Sequence, residues 1–438
     1  MTFLYWIGFL VALIGIVTIV YVSDKRLQEG FAESSQTDVA SLAQTRMASR
    51  ADFHDAIASL SEENHMPINE QCLVNFYTLG CRFTGYLGPF DGGKFDMNVA
   101  IPAALQMGCR TFVFEIDYYD EKCDKDTDGG YNPRLVVANA KGIVMSKSGS
   151  DDCMIASKSN ILDASNKIAE YAFSGSVQNS NDPILIVLYL LREPPPDNTQ
   201  SMDAIRITYY KKIALGLAPL LRYDVSTTRS GNYYRQRQES KLLTNNIGDY
   251  ERKVLFFSNA QTEVFRSADP PVDTKLDLDY IVNLRLVAEQ TALGCTLAAG
   301  KQKSSETTYG RLETVEDYMS IPDDNISDIQ TKTNSTWTIC MSNDPSAIVP
   351  KKSVDHLQPI VMPGPEAPPP IGVHCIPIQI WSKDYDYMFE KDRFGIHSFV
   401  PKPPPLRFTT PSIQVPGTTP KTQDSKQGKL ASPTPSYV

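Results

Sequence analysis

The sequence predicts an α/β domain with a parallel sheet, carried behind an apolar anchor and followed by a proline-rich tail. Three observations predict it. Short apolar runs at 112–118, 183–191 and 253–259 alternate with longer segments of helical pattern, the order that sets strands side by side under helices. An uncharged apolar stretch stands at 3–22. The 30 prolines crowd towards the C-terminus.

The chain has 438 residues, 42% hydrophobic and 21% charged, room for one large domain with accessories. A net charge of -9 argues against general nucleic-acid binding, which needs a basic footprint. Eight cysteines are scattered with no CxxC pair, which speaks against a zinc site and leaves disulfide pairing open.

At roughly 1.5 Å per residue, 3–22 is long enough for a bilayer core of about 30 Å. Trp6 and Tyr21 lie near its ends, as interfacial aromatics do. A cleaved signal peptide is the alternative, but no Lys or Arg precedes the run and no small-x-small cleavage site follows cleanly. A retained anchor over 1–22 is therefore expected to contact a lipid membrane. Lys25 and Arg26 follow it, which places the bulk of the chain on the cytosolic side. The sequons at Asn325 and Asn334 point the other way. Residues 23–65 are polar with scattered apolar positions and read as a helical stalk or a flexible linker.

The globular domain is expected over 66–348. Residues 72–79 are a candidate first strand. The run 112–118 follows a turn at Gly108 and reads as a buried strand. Alternation puts Val113, Glu115 and Asp117 on one face. Two carboxylates on an apolar strand are costly to bury unless a cation or a buried Arg or Lys compensates them. Residues 160–173 and 201–221 read as helices. The continuous apolar runs 183–191 and 253–259 read as strands covered on both sides, with 280–287 and 337–341 as later strands.

Two further clusters carry two readings each. Asp124, Asp126, Asp128 and Gly129 have the spacing of a calcium loop, but its twelfth position is Leu135 where a bidentate glutamate belongs. An acidic surface turn is the plainer reading. Arg229, Arg235, Arg237 and Lys241 surround Tyr233 and Tyr234, a patch for anionic headgroups or a solvated loop. From 349 to 438 proline-rich segments alternate with short apolar ones, which favours an extended or disordered tail that ties the protein to protein partners or serves as a linker.

The segment Ala104-Leu105, Gly108-Cys109-Arg110, Glu115, Asp117 resembles the X region of phosphatidylinositol-specific phospholipases C, whose pattern is small-Leu-x-x-Gly-Cys-Arg-x-x-x-x-Glu-x-Asp. The resemblance covers roughly 72–259 and implies a distorted (β/α)8 barrel with chemistry at the C-terminal ends of its strands. It implies Ca2+ at the barrel mouth, with Glu115 and Asp117 as ligands. The family's first strand ends in Ser-His-Asn-Thr-Tyr-Leu. Setting Tyr86-Leu87 on its Tyr-Leu puts Phe83 at the general-base histidine and Thr84 at a calcium-binding asparagine. The second family histidine falls near Ala138. Tyr189 stands where the family has another calcium-binding glutamate, with Glu193 four residues on.

None of the five histidines lies between Met66 and Asp355. The family's chemistry needs a base for the inositol hydroxyl and an acid for the leaving alkoxide, roles that histidine suits through its near-neutral pKa. The expected function is therefore an inactive, membrane-anchored barrel serving as a structural or binding module. A minor capsid component that links the shell of a large DNA virus to its inner membrane is one such part, with the barrel cytosolic or virion-internal. The alternative is a calcium-dependent phosphoric diester hydrolase acting on phosphoinositide-like lipids, in which Lys141, Tyr189 or Arg110 would assist.

Overall fold

The computed structural model describes residues 41, 44–48, 54–59, 66–88, 93–118, 131–139, 142–143, 159–194, 201–223, 241–287, 309–344, 349–364, 368–381 and 383–409. The expected anchor over 1–22, the acidic turn at Asp124, Asp126 and Asp128, Lys141 and the Tyr233–Tyr234 patch lie outside these. Among the described residues no helix is long and apolar enough to cross a membrane.

Seven strands form the curled parallel path of one sheet: β1 (Gly80–Cys81), β2 (Thr111–Asp117), β3 (Ile184–Leu190), β4 (Val254–Ser258), β5 (Leu284–Val287), β6 (Gly310–Thr314) and β7 (Thr338–Met341); off this path the short strand Arg134–Leu135 pairs antiparallel with the end of β2. Each pairs with the next in sequence order, always parallel. β2, β3 and β4 are buried throughout, which is why they read as unbroken apolar runs.

Helices fill the crossovers. Met97–Gln106 lies between β1 and β2. It ends at Gly108, whose φ of +91° makes the turn that an L side chain resists. Ile161–Tyr171 leads to β3; its N-cap Asn160 accepts from the Leu162 amide. Met202–Leu217 leads to β4, with Ser201 accepting from the Ala204 amide. The predicted strands 112–118, 183–191 and 253–259 and the helices 160–173 and 201–221 therefore stand, with ends shifted by a few residues. The expected first strand over 72–79 is corrected: it holds the 3-10 turn Leu73–Asn75 and the strand Phe76–Thr78, and the first stave is Gly80–Cys81. In the second half β6 and the helix Asp323–Ser335 were not foreseen.

The largest departure concerns the expected tail. Residues 374–378 lie between β7 and β1 as an eighth stave. Cys375 bridges Ile339 on one side and Thr78 on the other, and Ile378 bridges Cys81, all parallel. The Cys340 amide donates to the Cys375 carbonyl (2.9 Å), the Ile378 amide to the Gly80 carbonyl (3.0 Å), and the Arg82 amide to the Ile378 carbonyl (2.8 Å). The ladder is interrupted because Pro377 has no N–H. Gly80 permits the approach, since a Cβ there would stand 2.5 Å from Cys375 Sγ. The strand Phe399–Pro401 then pairs antiparallel with Phe76–Thr78. The compact unit runs to Phe408, so the domain boundary expected near 349 is corrected to Phe408.

The described part of the expected stalk also packs on the barrel. Arg46 is buried, donates to the Ile380 carbonyl and to Asp386 (Nε–Oδ1 3.0 Å), and lies 4.9 Å over the Phe389 ring. Asp55 accepts from the Asn181 amide (3.0 Å), and Asp182 from the Ile57 amide (3.2 Å). A buried guanidinium must keep its acceptors, so this stretch is held to the body rather than spacing it away.

Candidate functional site

The C-terminal ends of the staves define the barrel mouth, where such folds place their chemistry. Glu115 and Asp117 stand on the last turn of alternation of β2, on one face. Tyr189 of β3 is the register partner of Glu115. Arg82, Phe83 and Thr84 follow β1 directly, Asn259 follows β4, and Ser342 follows β7.

Glu115 is 1% exposed and pairs with Arg82, itself 4% exposed, at 2.6 Å between Oε1 and Nε. The guanidinium also donates from Nη1 to the Ser342 carbonyl (2.8 Å) and lies 4.9 Å over the Phe83 ring. It therefore joins β2 to the end of β7 across the mouth. Glu115 Oε2 and Arg82 Nη2 are buried with no hydrogen-bond partner among the described residues. Burial pushes the Glu115 carboxyl above its ordinary range, and Arg82 pulls it back by charge and hydrogen bond.

Asp117 is held in the same way nearer the rim. Arg192 Nε is 2.7 Å from its Oδ1, while Nη2 donates to the Tyr118 carbonyl (2.8 Å) and the guanidinium lies 4.2 Å over the Tyr118 ring. Glu193 turns to the helix Met202–Leu217, where it meets Arg206 Nε at 2.7 Å and accepts from the Tyr210 hydroxyl at 2.5 Å.

The other predicted positions are also placed. Phe83 is buried with φ +54°, a left-handed backbone that is strained for an aromatic residue. Its ring stands edge-on to Tyr86 at 6.4 Å. The Thr84 hydroxyl donates to the Val113 carbonyl (2.9 Å). Tyr189 is buried beside Glu115. Ala138 lies in the short strand Ala138–Asn139, paired with Gly142–Ile143.

Arg110 is a correction to its assignment as a binding residue. It precedes β2 and so sits at the opposite end of the barrel from the mouth. It is fully buried there and donates to the Ala172 carbonyl (2.8 Å) and to the Asn179 backbone and side-chain oxygens (Oδ1 at 2.6 Å). Burial lowers its pKa to about 10 against the pull of Asp182. The barrel does contain a histidine, His374, because the eighth stave brings it in. It too lies at the N-terminal end, fully buried. Its Nδ1 accepts from the Thr338 amide (2.9 Å) and its Nε2 meets the Val74 carbonyl (2.7 Å). Burial drives its pKa well below the usual value, so the ring is neutral.

These residues do not fit the calcium that the resemblance implies. One carboxylate is closed by a buried guanidinium, and the other is paired at the rim. The third position is a tyrosine, and the fourth hydroxyl is committed to a strand carbonyl. No group of three or more His, Cys, Asp or Glu suited to a metal occurs among the described residues. Arg82 and Arg192 are the functional residues that the sequence reading missed. The available signal was a cation one residue before the vacant base position, beside two carboxylates that needed a counter-charge.

No protein-family model matches the chain, and no curated protein matches it. Its fold is similar to solved phospholipases C. L. pealei PLC21 aligns at 14% identity and TM-score 0.48, covering 78% of this chain and 38% of that one. S. officinalis PLC21 aligns at 15% and 0.45, covering 77% and 38%. A calcium-dependent phosphoinositol-specific phospholipase C from the Gram-negative bacterium Pseudomonas sp. aligns at 10% and 0.37, covering 63% and 85%. The chain thus spans 38% of the length of the two PLC21 structures.

Proposed function

We propose that this chain is a phospholipase-C-like barrel that works as a binding or structural module and not as a phosphodiesterase. The observation that carries this reading is the buried Arg82–Glu115 pair. A carboxylate that is to hold a metal or a substrate must be reachable, and this one is spent on a guanidinium inside the protein. Acid–base chemistry on a phosphodiester needs a group that titrates near neutrality within reach of the substrate. At the mouth Tyr189 is buried, Asp117 is ion-paired, and Glu316 is committed to the Ser342 hydroxyl (2.9 Å) and the Asn343 amide (3.0 Å).

In this reading the apolar run 1–22 tethers the barrel to a membrane, with the bulk of the chain cytosolic or virion-internal. Residues 409–438 reach protein partners. A linker between a shell and the membrane beneath it, such as a minor capsid protein of a large DNA virus, is the role we propose. The test is hydrolysis of phosphatidylinositol by the full chain, with and without calcium, beside its Glu115→Gln variant. No turnover by the folded protein is expected. Calcium-dependent turnover that Glu115→Gln abolishes would overturn the module reading in favour of a phosphoric diester hydrolase. For the shell-linking role, stable co-purification with shell protein is the expected result. Recovery with lipid alone would exclude it.

A further inference from the structure

We infer that the cavity between the short strand Lys94–Phe95 and the helices Met97–Gln106 and Ile161–Tyr171 is a binding site for a short peptide with free termini. The inference goes beyond the proposed function and holds whether or not the barrel mouth is catalytic. The cavity has a volume of about 620 Å3, within the range of small-ligand sites. Its polar lining is Lys94, Asp96, Asn98, Asp163, Asn166 and Lys167. Lys94 and Asp96 flank the buried Phe95 on an extended stretch, so both side chains leave one side of it, about 7 Å apart along the chain. Asp163, Asn166 and Lys167 share one face of their helix by i, i+3 and i+4 spacing.

These groups are uncommitted, unlike the carboxylates of the mouth. Among the described residues the side chains of Lys94, Asp96, Asn98 and Asn166 enter no hydrogen bond or ion pair. Lys167 meets Glu170 at 2.9 Å, an exposed pair of little worth that a ligand carboxylate can displace. The lining then selects its ligand by charge. Two ammonium groups face two carboxylates, so a ligand of one sign is attracted by one pair and repelled by the other. A zwitterion satisfies both, with its ammonium on Asp96 and Asp163 and its carboxylate on Lys94 and Lys167. Asn98 and Asn166 supply donors and acceptors for a peptide group between them. The apolar part of the lining is Phe95 and Met97, both buried, with the Phe95 ring held edge-on to Tyr86 at 5.4 Å. That surface suits an aliphatic side chain. Two residues of extended peptide span up to about 7 Å, the spacing of Lys94 and Asp96.

The experiment titrates alanyl-leucine into the full chain by ligand-observed NMR, beside its N-acetylated and C-amidated forms and free leucine. Saturable binding of the dipeptide is expected, with each form that has lost one charge weaker by about fivefold. Free leucine, too short to reach both charges, should also bind more weakly. No saturation by the dipeptide below about 20 mM would overturn the inference. Equal binding of the acetylated form would make the cavity an anion site, and equal binding of the amidated form a cation site; either result overturns it, as does leucine binding as tightly as the dipeptide. Lys94→Gln and Asp96→Asn should each weaken the dipeptide by about fivefold. Lys352→Gln, exposed on the helix Lys351–Leu357 and outside the cavity, should change nothing. Unchanged binding in both cavity variants would overturn the inference. Should either variant fail to fold, the four probes on wild type decide the matter alone. Turnover of phosphatidylinositol by wild type would remove the module reading and leave this site in place.

Discussion

Replacing Ile378 by Ala tests whether the C-terminal segment closes the barrel or merely trails from it. Ile378 is 1% exposed, bridges Cys81, and donates its amide to the Gly80 carbonyl at 3.0 Å. The substitution deletes apolar atoms between two staves that are fixed by backbone bonds, so the space collapses poorly. Such truncations cost about 2–5 kcal/mol. Val361 belongs to the same proline-rich stretch but is 80% exposed. Val361→Ala should stay within about 0.5 kcal/mol of the parent. Urea unfolding of the full chain, followed by far-ultraviolet circular dichroism, should show a lower midpoint for Ile378→Ala with an unchanged slope. Equal midpoints for the two variants would refute the eighth stave, because a tail that does not pack cannot tell a buried isoleucine from an exposed valine.

Asp182 and the buried thiols give two more tests. Burial raises the Asp182 carboxyl from 3.8 to about 7, against the pull of Arg110. The folded chain therefore keeps a proton that the unfolded chain has already lost between these values. Its contribution to stability is full below about pH 4 and is lost as pH rises towards 7. Asp182→Asn should flatten that decline, read as unfolding free energy at pH 5 and pH 8; an identical pH dependence in the variant would contradict the assignment. Cys81, Cys109, Cys340 and Cys375 are free and buried, and burial pushes the Cys375 thiol up to about 12. Alkylation at pH 8 with peptide mapping should leave these four unmodified until denaturant is added; labelling of Cys375 in the native protein would show that the stave opens.

Much of the barrel was legible because its central strands have one environment on both faces. Residues 184–190 and 254–258 are apolar at nearly every position, which only a doubly covered parallel strand requires. β6 was hidden for the opposite reason. Its Arg311 and Glu313 read as surface, yet they are buried and pair with each other at 2.9 Å, with Tyr318 accepting from Arg311. A neutralised pair two residues apart on a strand looks identical in sequence to two solvated charges. The eighth stave was hidden by Pro377, which breaks the ladder and the pattern together.

By itself the sequence determined the order of the staves β2, β3 and β4 and the helices that precede β3 and β4. It also determined which strand carries the two carboxylates, and that no histidine stands where the resemblance puts one. These follow from local properties, namely alternation, apolar runs and caps, which act within a few residues of chain. Only the tertiary structure decided what balances Glu115 and Asp117, since Arg82 and Arg192 are 33 and 75 residues away along the chain. It also decided that residues 374–378 close the barrel and that Arg110 and His374 face the end remote from the mouth. Counter-charge and closure depend on which chain segments meet in space. A buried charge accepts whichever partner the fold delivers, and separation along the chain does not specify that partner.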